Sequence, residues 1–317
     1  MARYILKRIL QTIPMLIVIS IISFTIMRMA PGDPAQSYIR PDMKYEEIKR
    51  IKENLGLNRP LYIQYGAWLS QILKGDLGYS LINFRPVYEQ IGERIPATLL
   101  LMGISLIISL ILGVVLGLIS AFYHDKIIDK VISVVTYIGI SIPSFWFAMV
   151  LIVIFSVQLR LLPSVGMHTV GVEDSILDVL KHTIMPAMVL SYGNMSIISR
   201  YIRSNTIIQM NEDYVRTAKG KGLSTKVIFT KHILKNALLP VITMLGMSLP
   251  DLVTGAFITE TVFGWPGMGR LGVQAVFSFD YPLIMAITMV SSLLLIIGNL
   301  LSDILCGVVD PRIKVVS

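Results

Sequence analysis

The chain has 317 residues, 54% hydrophobic and only 15% charged, with a formal net charge of +8. A soluble domain carries about 25% charged residues, so this chain lacks the charge to coat a soluble globule. Its single cysteine, Cys306, excludes an internal disulfide framework.

The first uncharged stretch, Ile9–Met27, follows Arg3, Lys7 and Arg8. It exceeds the roughly 7–15 residue apolar core of a signal peptide, which favours a retained anchor. Next comes a long segment from Pro31 to Pro96. Within it, "DMKYEEIKRIKENLG" reads as a solvated helix, with Glu46 and Glu47 near Lys49 and Arg50, stopped by Gly56. "PLYIQYGAWLSQILKG" puts Leu61, Tyr65, Trp68, Leu69 and Ile72 on one helical face. Those aromatics suit a membrane interface, an inter-subunit contact, or packing onto the bundle.

Ala97–Tyr123, Val131–Leu159 and Tyr281–Ser302 are also free of charge. A helix of about 20 residues crosses roughly 30 Å of hydrocarbon, so each reads as a span. Thr183–Ser199, between His182 and Arg200, is a fourth run of this kind, and Asn236–Thr259 is interrupted only by Asp251. Together with the first stretch they make six expected spans. Runs apolar on every face do not fit the core helices of a soluble protein.

With the N-terminus inside, the inner segments hold Arg3, Lys7, Arg8, Lys126, Lys130, Arg200, Arg203, Arg216, Lys219, Lys221, Lys226, Lys231, Lys235, Arg312 and Lys314. The short outer loops hold Arg160, Lys181 and Arg270. Long loops are left out of such a comparison. The asymmetry predicts both termini in the cytoplasm and Pro31–Pro96 outside. It also accounts for the positive charge without nucleic acid.

The longest inner segment, Arg203 to Asn236, contains "EDYVRTAKGKGLSTK". A phosphate-binding loop needs G-x-x-x-x-G-K-[ST] between a strand and a helix. Val215 stands where the first glycine belongs, and Gly222 rather than Ser or Thr follows Lys221. No ATP site is expected in this chain. "STKVIFTKHIL" instead reads as a short amphipathic helix along the membrane face, offering an apolar edge to a partner, with Ser224 as N-cap. A solvated loop drawn to anionic lipid is the plainer reading.

"DYVRTAKGKGLSTKVIFTKHILKNALLPVIT" resembles the cytoplasmic docking loop of ABC-importer permeases, in the branch that takes up dipeptides, oligopeptides and nickel. Ala218 and Gly222 fall on the general E-A-A-x-x-x-G pattern. Arg216 and Thr217 replace its first two residues, and His232 and Lys235 replace the Ile and Pro of its I-x-L-P end. "APGDPA", "LGLNRPLYIQYGAWLSQILKGDLGYS", "SIPSFWFAMVLIVIFSVQLRLLPSVG" and "ITETVFGWPGMGRLGVQAVFSFDYPLI" resemble further family segments in the same order.

The resemblance implies an all-α, polytopic membrane protein of six transmembrane helices with the type I ABC-importer permease fold. It implies an N-terminal transmembrane helix over 1–30, an extracytoplasmic segment over 31–96, and a core permease domain over 97–317 with its coupling loop at 203–237. It further implies a permease subunit in a bacterial or archaeal plasma membrane, with a second permease as partner. Two ATP-binding subunits that carry ATP and magnesium, and an extracytoplasmic substrate-binding protein, complete the assembly. Asp213, Ala218, Gly220, Gly222, Leu223, Ile228 and His232 are the expected coupling-loop residues. Gly220 and Gly222 are expected to loosen the backbone before the docking helix, with Leu223 and Ile228 on its contact face. Glu212 and Asp213 are expected to pair with the loop's lysines.

Asp251, directly after Pro250, is either a pathway residue that senses a cationic substrate terminus or a cap on a broken helix. Asn194 and Tyr192 either line the pathway or bond across helices. Glu260 and Asp280 bracket the Gly/Pro-rich outer loop and are expected to shape it. The four histidines, His124, His168, His182 and His232, lack ligand spacing, so no metal site is expected. An ion-coupled carrier would need several intramembrane charges and internal repeats, and an intramembrane enzyme would need a catalytic signature. Nickel or another small solute in place of peptide stays open.

Overall fold

A computed structural model of the protein describes residues 2–29, 43–47, 53, 58–171, 175–248, 252 and 255–309. The described residues are helical, with no named strand. α1 covers Ala2–Met29, α2 Leu61–Leu73, α3 Val87–Phe122 and α4 Ile127–Ser141. α5 covers Ser144–Leu151 and runs on as a π-helix through Ile152–Gln158. α6 is Ile176–Met210 and α7 is Asp213–Gly220. α8 begins at Thr225–Val227, widens into a π-helical stretch at Ile228–Ile233 and ends at Leu234–Ala237. α9 is Leu239–Ser248, α10 Phe257–Val262, α11 Met268–Phe277 and α12 Tyr281–Val309.

Among the described residues, α1, α3 and α12 are each long and apolar enough to cross a membrane. The expected third span, Val131–Leu159, is not one straight helix. α4 and α5 meet at 105°. Pro143 accounts for the break: a proline's ring drives the preceding residue out of the helical region. Ile142 is extended at ψ 126°, and α5 restarts directly after the proline, where a missing N–H costs nothing. α3 also starts earlier than the apolar run, at Val87, so the expected boundary at 96 falls inside a continuous helix that contains Pro96.

The centre of the molecule is the α3–α6 pair. Ser105, Ser109, Gly113, Gly117 and Ala121 recur every four residues on α3, and all are buried. Small side chains at that spacing let two backbones approach closely, the arrangement that drives association inside a bilayer. A Cβ on Gly117 would lie 2.6 Å from the Ser199 carbonyl oxygen, and one on Gly113 would lie 2.8 Å from Ile198.

α2 packs on the C-terminal half of α1. Tyr65 and Trp68 sit 5.5 and 5.7 Å from the Phe24 ring, and the Tyr65 and Ser20 hydroxyls are 2.7 Å apart. The aromatics of this amphipathic helix thus pack onto α1. Tyr192 likewise bonds across helices, donating to the Val135 carbonyl at 2.8 Å. Asn194 lies exposed on α6.

The far end of the bundle is closed by two buried carboxylates. Glu260 accepts from the Thr98 hydroxyl at 3.0 Å and the Arg270 N–H at 3.0 Å. Trp265, fully buried beside it, donates its indole N–H to the Ala97 carbonyl at 2.9 Å. Asp280 accepts from the Ser80 hydroxyl and, at 3.1 Å, from the Leu81 N–H. Glu260 thus joins α10 to α3 and α11, and Asp280 joins the loop before α12 to the loop before α3, shaping this end.

Candidate functional site

The segment between α6 and α9 folds on itself. Val215 and Ala218 of α7 pack against Ile228, Ile233 and Ala237 of α8, with Met210, Tyr214 and Phe229 partly buried around them. Tyr214 adds a hydrogen bond to Gln209 at 2.8 Å. The connection between the two helices is a tight reversal. Gly222 has φ +73°. Its N–H donates to the Lys219 carbonyl at 2.9 Å, and the Leu223 N–H donates to Ala218 at 3.3 Å. This double bond around a left-handed residue is the Schellman arrangement that satisfies the last carbonyls of a helix. Ser224 then stands at the N-cap position, its carbonyl accepting from the Ile228 N–H at 3.0 Å.

The expected residues separate into different roles. Ala218 and Ile228 are core, 5% and 2% exposed. Ile228 therefore offers no face to a partner; the apolar edge of α8 is consumed by the loop's own core. Leu223, at 39% exposure, does face outward. Gly220 is the last residue of α7 and has no positive φ. Gly222 alone makes the turn. Asp213 opens α7 and meets Arg216 at 3.4 Å rather than a lysine; both are highly exposed, and such pairs contribute little. His232 is half-buried. Lys219, Lys221, Lys226, Lys231 and Lys235 form an exposed basic rim. Asp251 lies outside the described residues.

Sequence reasoning missed the two attachments that seat the loop on the bundle. Asn205 of α6 donates to the Ala237 carbonyl at 3.1 Å. Phe229 meets Phe122, the last residue of α3, edge to face at 5.2 Å. Neither is visible as a motif, because each joins positions distant along the chain. A second miss is the pairing of Asp129 with Arg203, which the charge comparison had treated only as loop basicity.

Residues 113–315 match the family described as binding-protein-dependent transport system inner membrane component, and residues 1–102 match its N-terminal region. The chain belongs to this family. The chain is 43% identical over 315 residues to the oligopeptide transport system permease protein AppB of Bacillus subtilis, covering 99% of this chain and 100% of that one. It is 44% identical over 318 residues to a putative peptide permease protein of Brucella suis, again over 99% and 100%. A glutathione transport system permease protein of Salmonella choleraesuis is 37% identical over 314 residues, 99% of each. Among solved structures, the inward-facing MetNI methionine ABC transporter has the same fold, with a TM-score of 0.54 at 16% identity over 70% of this chain and 97% of that one. The protein is thus a membrane-integral ABC-importer permease, a transport subunit rather than an enzyme.

Proposed function

We propose that this permease pairs with a second permease to form the translocation path of a peptide importer. Its inner loop docks on separate ATPase subunits that carry ATP and magnesium, and an extracytoplasmic protein delivers the substrate. In this reading both termini and the loop at 203–237 are cytoplasmic, residues 31–96 are extracytoplasmic, and six helices span the membrane. Similarity over almost the whole chain to permeases named for oligopeptide and peptide transport supports the substrate class. The observation that carries the coupling role is the loop's construction: a small apolar core, a sharp Gly222 turn, and exposed lysines on both sides of exposed Leu223 along the sequence. A loop with its own core moves as one piece when pushed, which a solvated linker does not.

The test is co-expression with the partner subunits, purification, and reconstitution with the binding protein. The complex should hold ATPases and accumulate peptide in an ATP-dependent way. A permease that purifies without ATPases would sink the coupling role, and uptake of nickel but not peptide would sink the substrate class.

A further inference from the structure

Asp129, in the first turn of α4, is 2% exposed. Both of its oxygens are occupied. Arg203 grips them as a fork, Nε on Oδ1 and Nη2 on Oδ2, each at 2.7 Å. The Ser120 hydroxyl donates to Oδ1 at 2.5 Å, and the Asp125 N–H donates to Oδ2 at 3.0 Å. Three helices meet at this one carboxylate: α3 through Ser120, α4 through Asp129, α6 through Arg203.

The place of Arg203 on α6 gives the pair its meaning. Two residues further on, Asn205 holds the docking loop by the Ala237 carbonyl. The same turn of α6 therefore grips the loop with one side chain and α4 with another. Elsewhere α4 meets α6 through the Tyr192 hydroxyl, through Gly139, set against Ser196 and Tyr192, and through Arg200, whose guanidinium lies 4.2 Å from the Tyr137 ring centre and which hydrogen-bonds the Tyr137 hydroxyl at 3.4 Å. A bidentate guanidinium–carboxylate pair fixes orientation as well as distance, and a buried carboxylate stripped of its partner is costly enough to hold the pair closed.

We propose that Asp129 and Arg203 form a coupling latch, so that α4, and the 105° elbow it makes with α5, turn together with α6 when the docking loop is displaced. This rests on the coupling role given above. Both are positioning residues; neither touches substrate or nucleotide.

The test uses the full complex in proteoliposomes and reads peptide taken up per ATP hydrolysed. Asp129→Asn keeps the size but removes the charge, and Arg203→Lys keeps the charge but loses the fork. With the latch broken, Asp129→Asn should assemble and keep basal hydrolysis within about twofold, while uptake per ATP falls about tenfold or more, in the range of a coupling free energy. Arg203→Lys should fall in between. A merely structural pair would lower the amount of complex and leave the ratio unchanged, and an unchanged ratio in Asp129→Asn overturns the proposal. If Asp129→Asn does not assemble, the ratio in Arg203→Lys decides in the same way, and failure of both to assemble also overturns it. A wild-type complex without ATPases is a different result: it refutes the docking role, whatever the latch does.

Discussion

Gly222→Val isolates the geometry of the docking turn from everything else in the loop. Gly222 sits at φ +73°, and a Cβ placed there would meet nothing within 4 Å. The substitution therefore creates no clash, and its whole effect is backbone strain. For a β-branched residue in the left-handed region that is about 1–3 kcal/mol. Spent on the equilibrium between the folded turn and an opened one, this shifts the docked population by about 5- to 150-fold. Asparagine enters the left-handed region far more readily, so Gly222→Asn should retain most function. Gly220 also has open space around it but a right-handed helical backbone. Gly220→Ala should therefore stabilise α7 by about 0.5–1 kcal/mol and leave docking intact. The assay is ATPase recovered per permease after mild solubilisation, followed by peptide uptake. All three variants should insert and pair with the second permease, since none touches a span. The reasoning fails if Gly222→Val docks like the wild type, or if Gly220→Ala is the damaging change.

Three other outcomes follow from the same structure. Ile228→Ala empties a site in the loop core and should cost about 2–5 kcal/mol of local stability, read as faster proteolysis near Lys226, whereas exposed Leu223→Ala should weaken ATPase binding without that sensitivity. Cysteines introduced at exposed Tyr62 and Lys226, in a chain with Cys306 replaced by serine, should label from opposite sides of the membrane; labelling of both from one side refutes the proposed topology. Gly267→Ala drives a methyl group into the Glu260 carboxylate and the Thr98 hydroxyl. It should cost about 1–3 kcal/mol at the Glu260 end of the bundle, with protease sensitivity rising between Phe257 and Asp280 and no change in ATPase recruitment.

The parts of this fold that were legible in the sequence are those written in local pattern. Long uncharged runs marked α1, α3 and α12, and the glycine in "GKGLS" marked a turn whose left-handed backbone only glycine enters freely. What stayed hidden depends on meetings between distant segments. The apolar edge of α8 was visible, but not that Val215 and Ala218 would cover it; periodicity reports a buried face without naming what buries it. Read that way, Ile228 looks like a contact and proves to be core. Asp129 was hidden for a similar reason. It lies nine residues from Ser120 but 74 from Arg203, and no local signal joins them. Two signals were present and unread. Ser-Ile-Pro before α5 marks the break at Ile142, and the four-residue repeat of small residues on α3 marks the close approach to α6.

That close approach sets the mechanical character of the protein. The Glu260 clasp is anchored on α3 at Ala97 and Thr98, through Trp265, Glu260 and the Met268 N–H, which donates to Thr98 at 2.8 Å. The docking loop is anchored on α3 at Phe122 and on α6 at Asn205. Between these anchors Gly113 and Gly117 bring α3 so near α6 that not even a methyl group fits. A helix rises 1.5 Å per residue, so Thr98 and Phe122 are about 36 Å apart along α3. Over such a lever a tilt of about 5° at the docking end displaces the clasp by about 3 Å, roughly the length of one hydrogen bond. Small-residue packing is what makes that transfer efficient, because an interface without free volume cannot absorb the tilt by local repacking. The basic loop and the Glu260 clasp, at opposite ends of the chain's longest described helices, are thus attached to a single closely packed pair, and the proposed coupling predicts that a push at one end reaches the other as displacement rather than as deformation.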